Sequence, residues 1–179
     1  MARVEGEAAE RFLSAPVLAD MDDETRRAVL AALVEQRAPA GTVLLAQGEP
    51  NDHLSFLIDG SVVVEHRRPD GRLEAIVTLN APSVFGTTSF FSPRPPSFGV
   101  RAAGDVWFLV LHHPEHDRLR RENPHAAEAL ALAALRIISE RFDELDRLFS
   151  GYIASHPDDH PKVTEWAGFR KRLFEEPGS

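Results

Sequence analysis

The sequence predicts a mainly β fold, a sandwich or barrel, with flanking helices and a long helix near its end. Between Gly41 and Leu111, short apolar segments of strand length alternate with turn signals about every eight to twelve residues. Helical periodicity precedes this region and returns after it. Because no helices are interleaved with the strands, a sandwich or barrel is favoured over a parallel α/β sheet.

Glycine, proline and aspartate divide the β region. Asp59-Gly60 is typical of a tight hairpin turn, and Pro69-Asp70-Gly71 marks another turn. The turn cluster Gln47–Asp52 separates the first two strands. Strands are predicted at residues 42–46, 54–58, 61–67, 73–79, 98–103 and 106–111.

The flanking helices are predicted from capping residues. A helix over Asp22–Val34 begins with Asp22 as N-cap and stops before Pro39. His113 is the expected cap of a short helix, and Asn123-Pro124 separates it from a long one. The predicted division is an N-terminal extension with a first helical segment (1–20), the β domain with flanking helices (21–123), the long helix (124–152), and a linker with a short tail helix (153–179).

Composition excludes several function classes. There is no cysteine, so disulfides, thiolate metal sites and cysteine nucleophiles are excluded. The formal net charge of −8 argues against a nucleic-acid partner. No apolar run is long enough to span a bilayer and no secretory signal is evident, which predicts a cytoplasmic protein without a membrane partner.

Motifs in a fixed order carry a family resemblance. They are Gly41-x-x-Leu44 through Pro50, Leu54-x-Phe56-Leu57-Ile58-x-x-Gly60-x-Val62, the segment Val84–Phe91, and Val100-Arg101-Ala102. Together they resemble the cyclic-nucleotide-binding domain of catabolite-activator-type regulators, kinase regulatory subunits and gated channels. The resemblance covers roughly residues 12–149. It implies an eight-stranded β-roll, or jelly roll, followed by a long dimerisation helix.

The resemblance also implies a phosphate-binding cassette, from which this sequence departs. In the family, a glutamate after Phe-Gly binds the ribose, and an arginine binds the cyclic phosphate. Here Thr87 stands at the glutamate position, and Pro96 stands at the arginine position. The candidate ligand-binding residues of this degenerate cassette are Phe85, Gly86, Thr87, Thr88, Ser89, Arg94, Ser97 and Phe98.

Two interpretations of the cassette remain open. In the first, Arg94 replaces the missing arginine, and a cyclic nucleotide or another small anion binds. In the second, the ring of Phe98 fills a vestigial pocket. Loss of a bidentate arginine weakens binding by about a hundredfold. The sequence therefore favours a protein without a cofactor, with cyclic-nucleotide binding as the alternative.

The long helix has an apolar stripe spaced by three and four residues, as in a coiled coil. Its members are Leu135, Ile138, Phe142, Leu145, Phe149 and Tyr152. The same stripe would also suit packing on the chain's own β-roll, but Leu130, Ile137 and Leu148 form a neighbouring stripe for that purpose. Since the family pairs subunits through this helix, a parallel homodimer is expected.

The segment after the linker has apolar residues at helical spacing: Val163, Trp166, Phe169, Leu173 and Phe174. This tail is predicted to dock on its own chain or to bind a protein partner. Too few residues follow the long helix for the winged helix-turn-helix of transcription regulators. A DNA-reading domain is therefore not expected.

Catalysis has weak support in the sequence. His112, His113 and His116 suggest a metal-dependent enzyme of the cupin type, but the first is predicted to end a strand and the others to begin a helix. No metal site is therefore predicted, and no nucleophile or nucleotide-binding loop signature occurs. The sequence predicts a non-enzymatic regulatory or adaptor module acting through homodimer and protein contacts.

Overall fold

A computed structural model of the protein describes residues 4–155, without the side chains at positions 148, 149 and 151–155. The helices are α1 (Gly6–Leu13), α2 (Asp23–Leu30), α3 (Thr87–Phe91), α4 (His113–Glu122) and α5 (Pro124–Ser155), with a 3₁₀ turn at Pro16–Leu18. The strands are β1 (Val34–Ala38), β2 (Val43–Leu45), β3 (His53–Asp59), β4 (Ser61–Arg67), β5 (Leu73–Asn80), β6 (Ser83–Phe85), β7 (Gly99–Ala102) and β8 (Val106–His112).

The strands form two antiparallel sheets of four, in the orders β1-β8-β3-β6 and β2-β7-β4-β5. The predicted eight-stranded β-roll followed by a long helix is confirmed. The hairpin at Asp59-Gly60 is also present, and Gly60 has φ of 84°. A Cβ there would lie 2.5 Å from the carbonyl oxygen of Asp105, so only glycine fits this turn.

The first sheet separates two apolar cores because its side chains alternate in direction. Leu109 and Leu111 pack in a core with the helices, whereas Phe108 and Val110 pack in the core that includes residues of the second sheet. Phe12 of α1 joins the first core with its ring centroid 5.1 Å from that of Phe56. The sheet is therefore buried on both faces, which holds α1 and α2 against the roll.

The predicted first helix is correct at its start and wrong at its end. The Thr25 amide donates to Asp22 Oδ1 at 2.7 Å, so Asp22 is the N-cap. The helix stops at Leu30, and Val34 begins strand β1, where it pairs with Val110 of β8. Pairing with a distant strand therefore decides the conformation of Val34, whose apolar side chain also suited the helical stripe.

Other predicted boundaries also change. The N-cap of α4 is His112, and His113 is the first residue of the helix instead of its cap. Strand β6 was not predicted, since its three residues form too short a pattern to identify alone. Helix α1 lies within the segment predicted only as an extension with helical character.

The chain divides into two compact units, Met1–Ile138 and Ser139–Ser179. The first unit contains both sheets, helices α1 to α4, and α5 as far as Ile138. Within it, Leu130 is 1% exposed and Ile137 packs beside it against the core, as predicted for the inner stripe. The four-part division made from the sequence stays a prediction. The linker and tail helix lie outside the described residues.

Candidate functional site

The candidate site is the cassette formed by the end of β6, helix α3 and the loop that leads to β7. Gly86 connects β6 to α3 with φ of 82°, in the left-handed region that favours glycine. A Cβ at this position would lie 2.9 Å from the carbonyl oxygen of His53. The close approach of β3 therefore requires glycine at the start of the cassette helix.

Asn51 holds the cassette helix from the turn before β3. Its Nδ2 donates to the Ser89 hydroxyl at 2.9 Å and to the carbonyl oxygen of His53 at 2.8 Å. The Ser89 hydroxyl in turn donates to the Gly86 carbonyl at 3.3 Å. Asn51 was not predicted, because in sequence it is only one polar residue of a turn cluster. Ser89, a predicted ligand residue, is engaged in holding the turn.

The other predicted residues near the start of α3 have different environments. Phe85 is 2% exposed in the core that includes residues of both sheets, with its ring 6.3 Å from that of Phe108. Thr87 is also 2% exposed, and its hydroxyl has no hydrogen-bond partner among the described residues. Thr88 is exposed. Thr87 therefore presents an unsatisfied polar group at the position where the family places its glutamate.

The loop after α3 directs its arginine to solvent. Arg94 is exposed and donates from Nη2 to the Ser92 hydroxyl at 3.1 Å. Pro96 accepts a hydrogen bond from the Gly48 amide at 2.9 Å, which ties the loop to the turn before β3. Ser97 is exposed. The arrangement differs from the interpretation in which Arg94 takes the place of the phosphate-binding arginine.

The position of Phe98 differs from the interpretation in which its ring fills the pocket. Its side chain is 45% exposed, whereas a ring that seals a cavity would be buried. The ring meets His66 of β4 edge to face, with centroids 5.8 Å apart. Phe98 therefore packs against a neighbouring strand at the surface of the roll.

A nearby arginine in β7 is already paired. Arg101 Nη2 lies 2.7 Å from Glu65 Oε1, and its Nε lies 3.1 Å from the other carboxylate oxygen. Its Nη1 also donates to the carbonyl oxygen of Gly41 at 2.9 Å. These bonds join β4, β7 and the turn before β2. Arg101 therefore has a structural role that leaves little capacity for a ligand.

The predicted dimer stripe of α5 is largely exposed where its side chains are described. Leu135 is 58% exposed, Phe142 is 50% exposed and Leu145 is 61% exposed. Ile138 is partly buried. Nothing is described for the side chains of the last two members, Phe149 and Tyr152. The helix thus carries large apolar side chains that are not covered within their own unit.

The three histidines considered as metal ligands do not converge on one point. His113 stacks on Phe90, and His116 contacts Phe90 and Phe91, whereas His112 faces Asp52 and His53. Over residues 4–155, no cluster of three or more histidine or carboxylate side chains has the arrangement of a metal site. The same part of the chain contains no helix that is both long enough and apolar enough to cross a membrane.

The chain is similar to known proteins over the region that contains this site. Residues 35–123 match the family described as the cyclic nucleotide-binding domain. A CRP-like cAMP-activated global transcriptional regulator from Mycobacterium tuberculosis is 33% identical over 120 residues, covering 63% of this chain and 50% of that protein. A cyclic nucleotide-gated potassium channel from Mesorhizobium japonicum is 34% identical over 107 residues, covering 60% of this chain and 28% of the channel. The chain thus spans half or less of these curated relatives.

Solved structures share the fold. A cyclic nucleotide-binding domain from Methylobacillus flagellatus superposes with a TM-score of 0.72 at 22% identity, covering 87% of this chain and 86% of that one. The N-terminal domain of a transcriptional regulator from Streptomyces coelicolor gives 0.63 at 27% identity, covering 74% of this chain and 95% of that one. The first likeness shows the fold alone, since similar folds host different functions.

Proposed function

Since residues 35–123 belong to the cyclic nucleotide-binding domain family, we propose that this chain is a regulatory module with a degenerate phosphate cassette. It acts without catalysis, through pairing of α5 in a homodimer and through protein contacts of its tail. Its relatives include a cAMP-activated regulator and a cyclic nucleotide-gated channel. We place the module in the cytoplasm, with neither nucleic acid nor membrane as its partner.

The observation that carries the proposal is that, among the described residues, the cassette has no free arginine side chain to bind a phosphate. A cyclic phosphate needs a charge-assisted partner to bind tightly in competition with water. Pro96 has no side-chain donor and no amide hydrogen, and its carbonyl is already used by Gly48. The guanidinium of Arg94 is bonded to Ser92 at the surface, and that of Arg101 is bonded to Glu65.

Pairing through α5 is supported by the exposure of its apolar stripe. Three large side chains of the stripe are at least half exposed, which is unfavourable for an isolated chain in water. Their spacing is that of a coiled-coil seam. A second copy of the same helix would cover the stripe symmetrically, as in a two-fold dimer.

Isothermal titration calorimetry with cyclic AMP and cyclic GMP tests the proposal. The wild-type protein should show no binding at micromolar nucleotide. The double variant Thr87→Glu/Pro96→Arg should gain binding because it restores the glutamate and the arginine that the family uses for the ribose and the cyclic phosphate. The matched control is Thr88→Glu/Pro95→Arg, which adds the same charges one residue away. Micromolar binding of either nucleotide by the wild-type protein would overturn the proposal.

A second candidate function, a sensor of a small anionic ligand, is favoured by the Thr87 hydroxyl. This group is buried without a partner among the described residues, and a ligand oxygen could satisfy it. A thermal-shift series with cyclic nucleotides, nucleoside monophosphates and sugar phosphates separates the two functions. A ligand at a hundred times its Kd stabilises the folded protein by about 2.7 kcal/mol. A ligand-induced rise in Tm that disappears in Thr87→Val would establish that the protein is a sensor of that ligand.

A further inference from the structure

Four of the chain's eight histidines lie around one junction, where the cassette helix meets the start of α4. His53 begins β3, His112 ends β8, and His113 and His116 belong to the first turns of α4. The rings of His53 and His112 are 6.0 Å apart across directly paired positions of the two strands. We call these four residues the histidine junction.

One half of the junction holds α3 against α4. The imidazole of His113 stacks on the ring of Phe90 with centroids 4.4 Å apart and an interplanar angle of 8°. His116 meets Phe90 at 5.2 Å and Phe91 at 5.6 Å, both at steep angles. Phe90 is 2% exposed, so these contacts fix the buried side of the cassette helix.

Burial makes the packing of His116 sensitive to protonation. Desolvation lowers the pKa of His116, the positive charge of Arg120 acts in the same sense, and Asp117 opposes them. His113 also lowers this pKa. Helix α3 contributes only uncharged rings to these contacts. Because burial disfavours the protonated form of His116, its neutral imidazole is the form that packs between the two helices.

Helix α5 adds one charged group near this half. Glu128 lines a groove of about 380 Å³ together with His116, Arg120 and Phe91. Glu128 is exposed, so water screens its attraction for a protonated His116.

The other half of the junction has a carboxylate, that of Asp52, beside the imidazoles of His53 and His112. Asp52 Oδ1 lies 3.0 Å from Nδ1 of His53, and its Oδ2 lies 3.9 Å from Nδ1 of His112. The hydrogen bond from His53 lowers the pKa of Asp52, so this carboxylate stays charged in mild acid. The carbonyl of Asp52 also accepts from the His113 amide at 3.1 Å. The charged carboxylate of Asp52 therefore lies between two imidazoles at the strand ends.

We propose that the histidine junction is a proton-operated switch, in which mild acid separates α4 from α3 while Asp52 keeps the ends of β3 and β8 together. The inference goes beyond the proposed function and does not depend on it, since no nucleotide or dimer contact is involved. Because the folded state disfavours protonated His116, packing of α4 is complete above pH about 6.5 and weakens as the pH falls through the lowered pKa.

The chain has no cysteine, so two spin labels can be placed at unique sites, at Thr88→Cys on α3 and Arg121→Cys on α4. Both positions are exposed. Electron–electron distances are measured at about pH 7.5 and 5.5, with labelled protein diluted in excess unlabelled protein. The distribution should broaden towards longer distances in acid and recover on neutralisation. Unchanged distances would overturn the switch.

The double variant His113→Phe/His116→Phe keeps the aromatic packing and cannot be protonated, so its distances should be the same at both pH values. The control is His66→Phe, which replaces an imidazole in a similar contact with Phe98 outside the junction and should respond as wild type does. A double variant that still responds contradicts the proposal.

The wild-type protein provides a second measurement. The imidazole NMR signal of His116 should titrate with the same midpoint as the distance change. A different midpoint, or loss of far-UV circular dichroism at the lower pH, would show global acid unfolding instead of a local switch.

Discussion

The side-chain amide of Asn51 donates to the hydroxyl of Ser89 at 2.9 Å, across 38 residues of sequence. Asn51 is 9% exposed and Ser89 is 2% exposed, so the bond lies away from water. It joins the turn before β3 to the cassette helix. The position of α3 therefore depends on a residue outside the cassette.

Replacement of Asn51 should destabilise the fold through this bond. Asn51→Ala leaves the Ser89 hydroxyl and the His53 carbonyl without their donor, at a cost of about 1–3 kcal/mol of unfolding free energy. Chemical denaturation followed by circular dichroism measures the change. The control is Gln47→Ala, whose amide makes two bonds to Arg67 at an exposed site and should cost less. Equal losses would contradict the special role of Asn51.

Removing the unpartnered hydroxyl of Thr87 should not weaken the protein. Thr87→Val keeps the shape of the side chain and deletes a buried polar group without a partner, so stability should stay the same or rise by about 1 kcal/mol. Thermal melting measures the difference, with the exposed neighbour variant Thr88→Val as control. A drop of several degrees in Tm would mean that the hydroxyl has a partner in solution.

Charge placed on the α5 stripe should disrupt a homodimer. Leu135→Glu/Phe142→Glu puts two carboxylates on the predicted seam, where their burial is unfavourable. Sedimentation equilibrium should change from dimer to monomer at micromolar protein. Ile76→Glu, which changes an exposed apolar residue of β5, is the control and should stay dimeric. A wild-type monomer at these concentrations would contradict pairing through α5.

The N-cap of α2 should contribute a pH-dependent part of the stability. The hydrogen bond from the Thr25 amide lowers the pKa of Asp22, so its stabilising effect is present above pH 3.8 and is lost as the pH falls through the lowered value. Asp22→Asn keeps a capping oxygen and should remove this acid dependence, whereas Asp22→Ala should lower Tm at neutral pH. Tm is measured between about pH 2.5 and 7. An unchanged profile in Asp22→Asn would contradict the assignment.

Elements with a strong local pattern could be predicted from the sequence. Strand β4 has its predicted bounds, because alternating side chains between two turn signals identify both ends. The inner stripe of α5 was predicted from spacing, and its described members Leu130 and Ile137 contact the core. The cassette was located by the family resemblance of the segment Val84–Phe91, and the structure supplies the reason for its glycine, since a Cβ at Gly86 would lie 2.9 Å from the carbonyl oxygen of His53.

The three-dimensional structure decided the features that depend on distant neighbours. Val34 is a strand residue because it pairs with Val110, and the exposed ring of Phe98 contacts His66 of β4. Neither partner is within the few residues that a periodic pattern compares.

The sequence by itself determined the strands β2 to β5, β7 and β8 and the turn glycines, since each depends on residue type and on neighbours within a few positions. Only the tertiary structure decided that Asn51 holds α3, that Arg94 faces solvent, and that four histidines surround one junction. These arrangements arise when folding brings together side chains that are tens of residues apart, and their geometry depends on packing that no local pattern records.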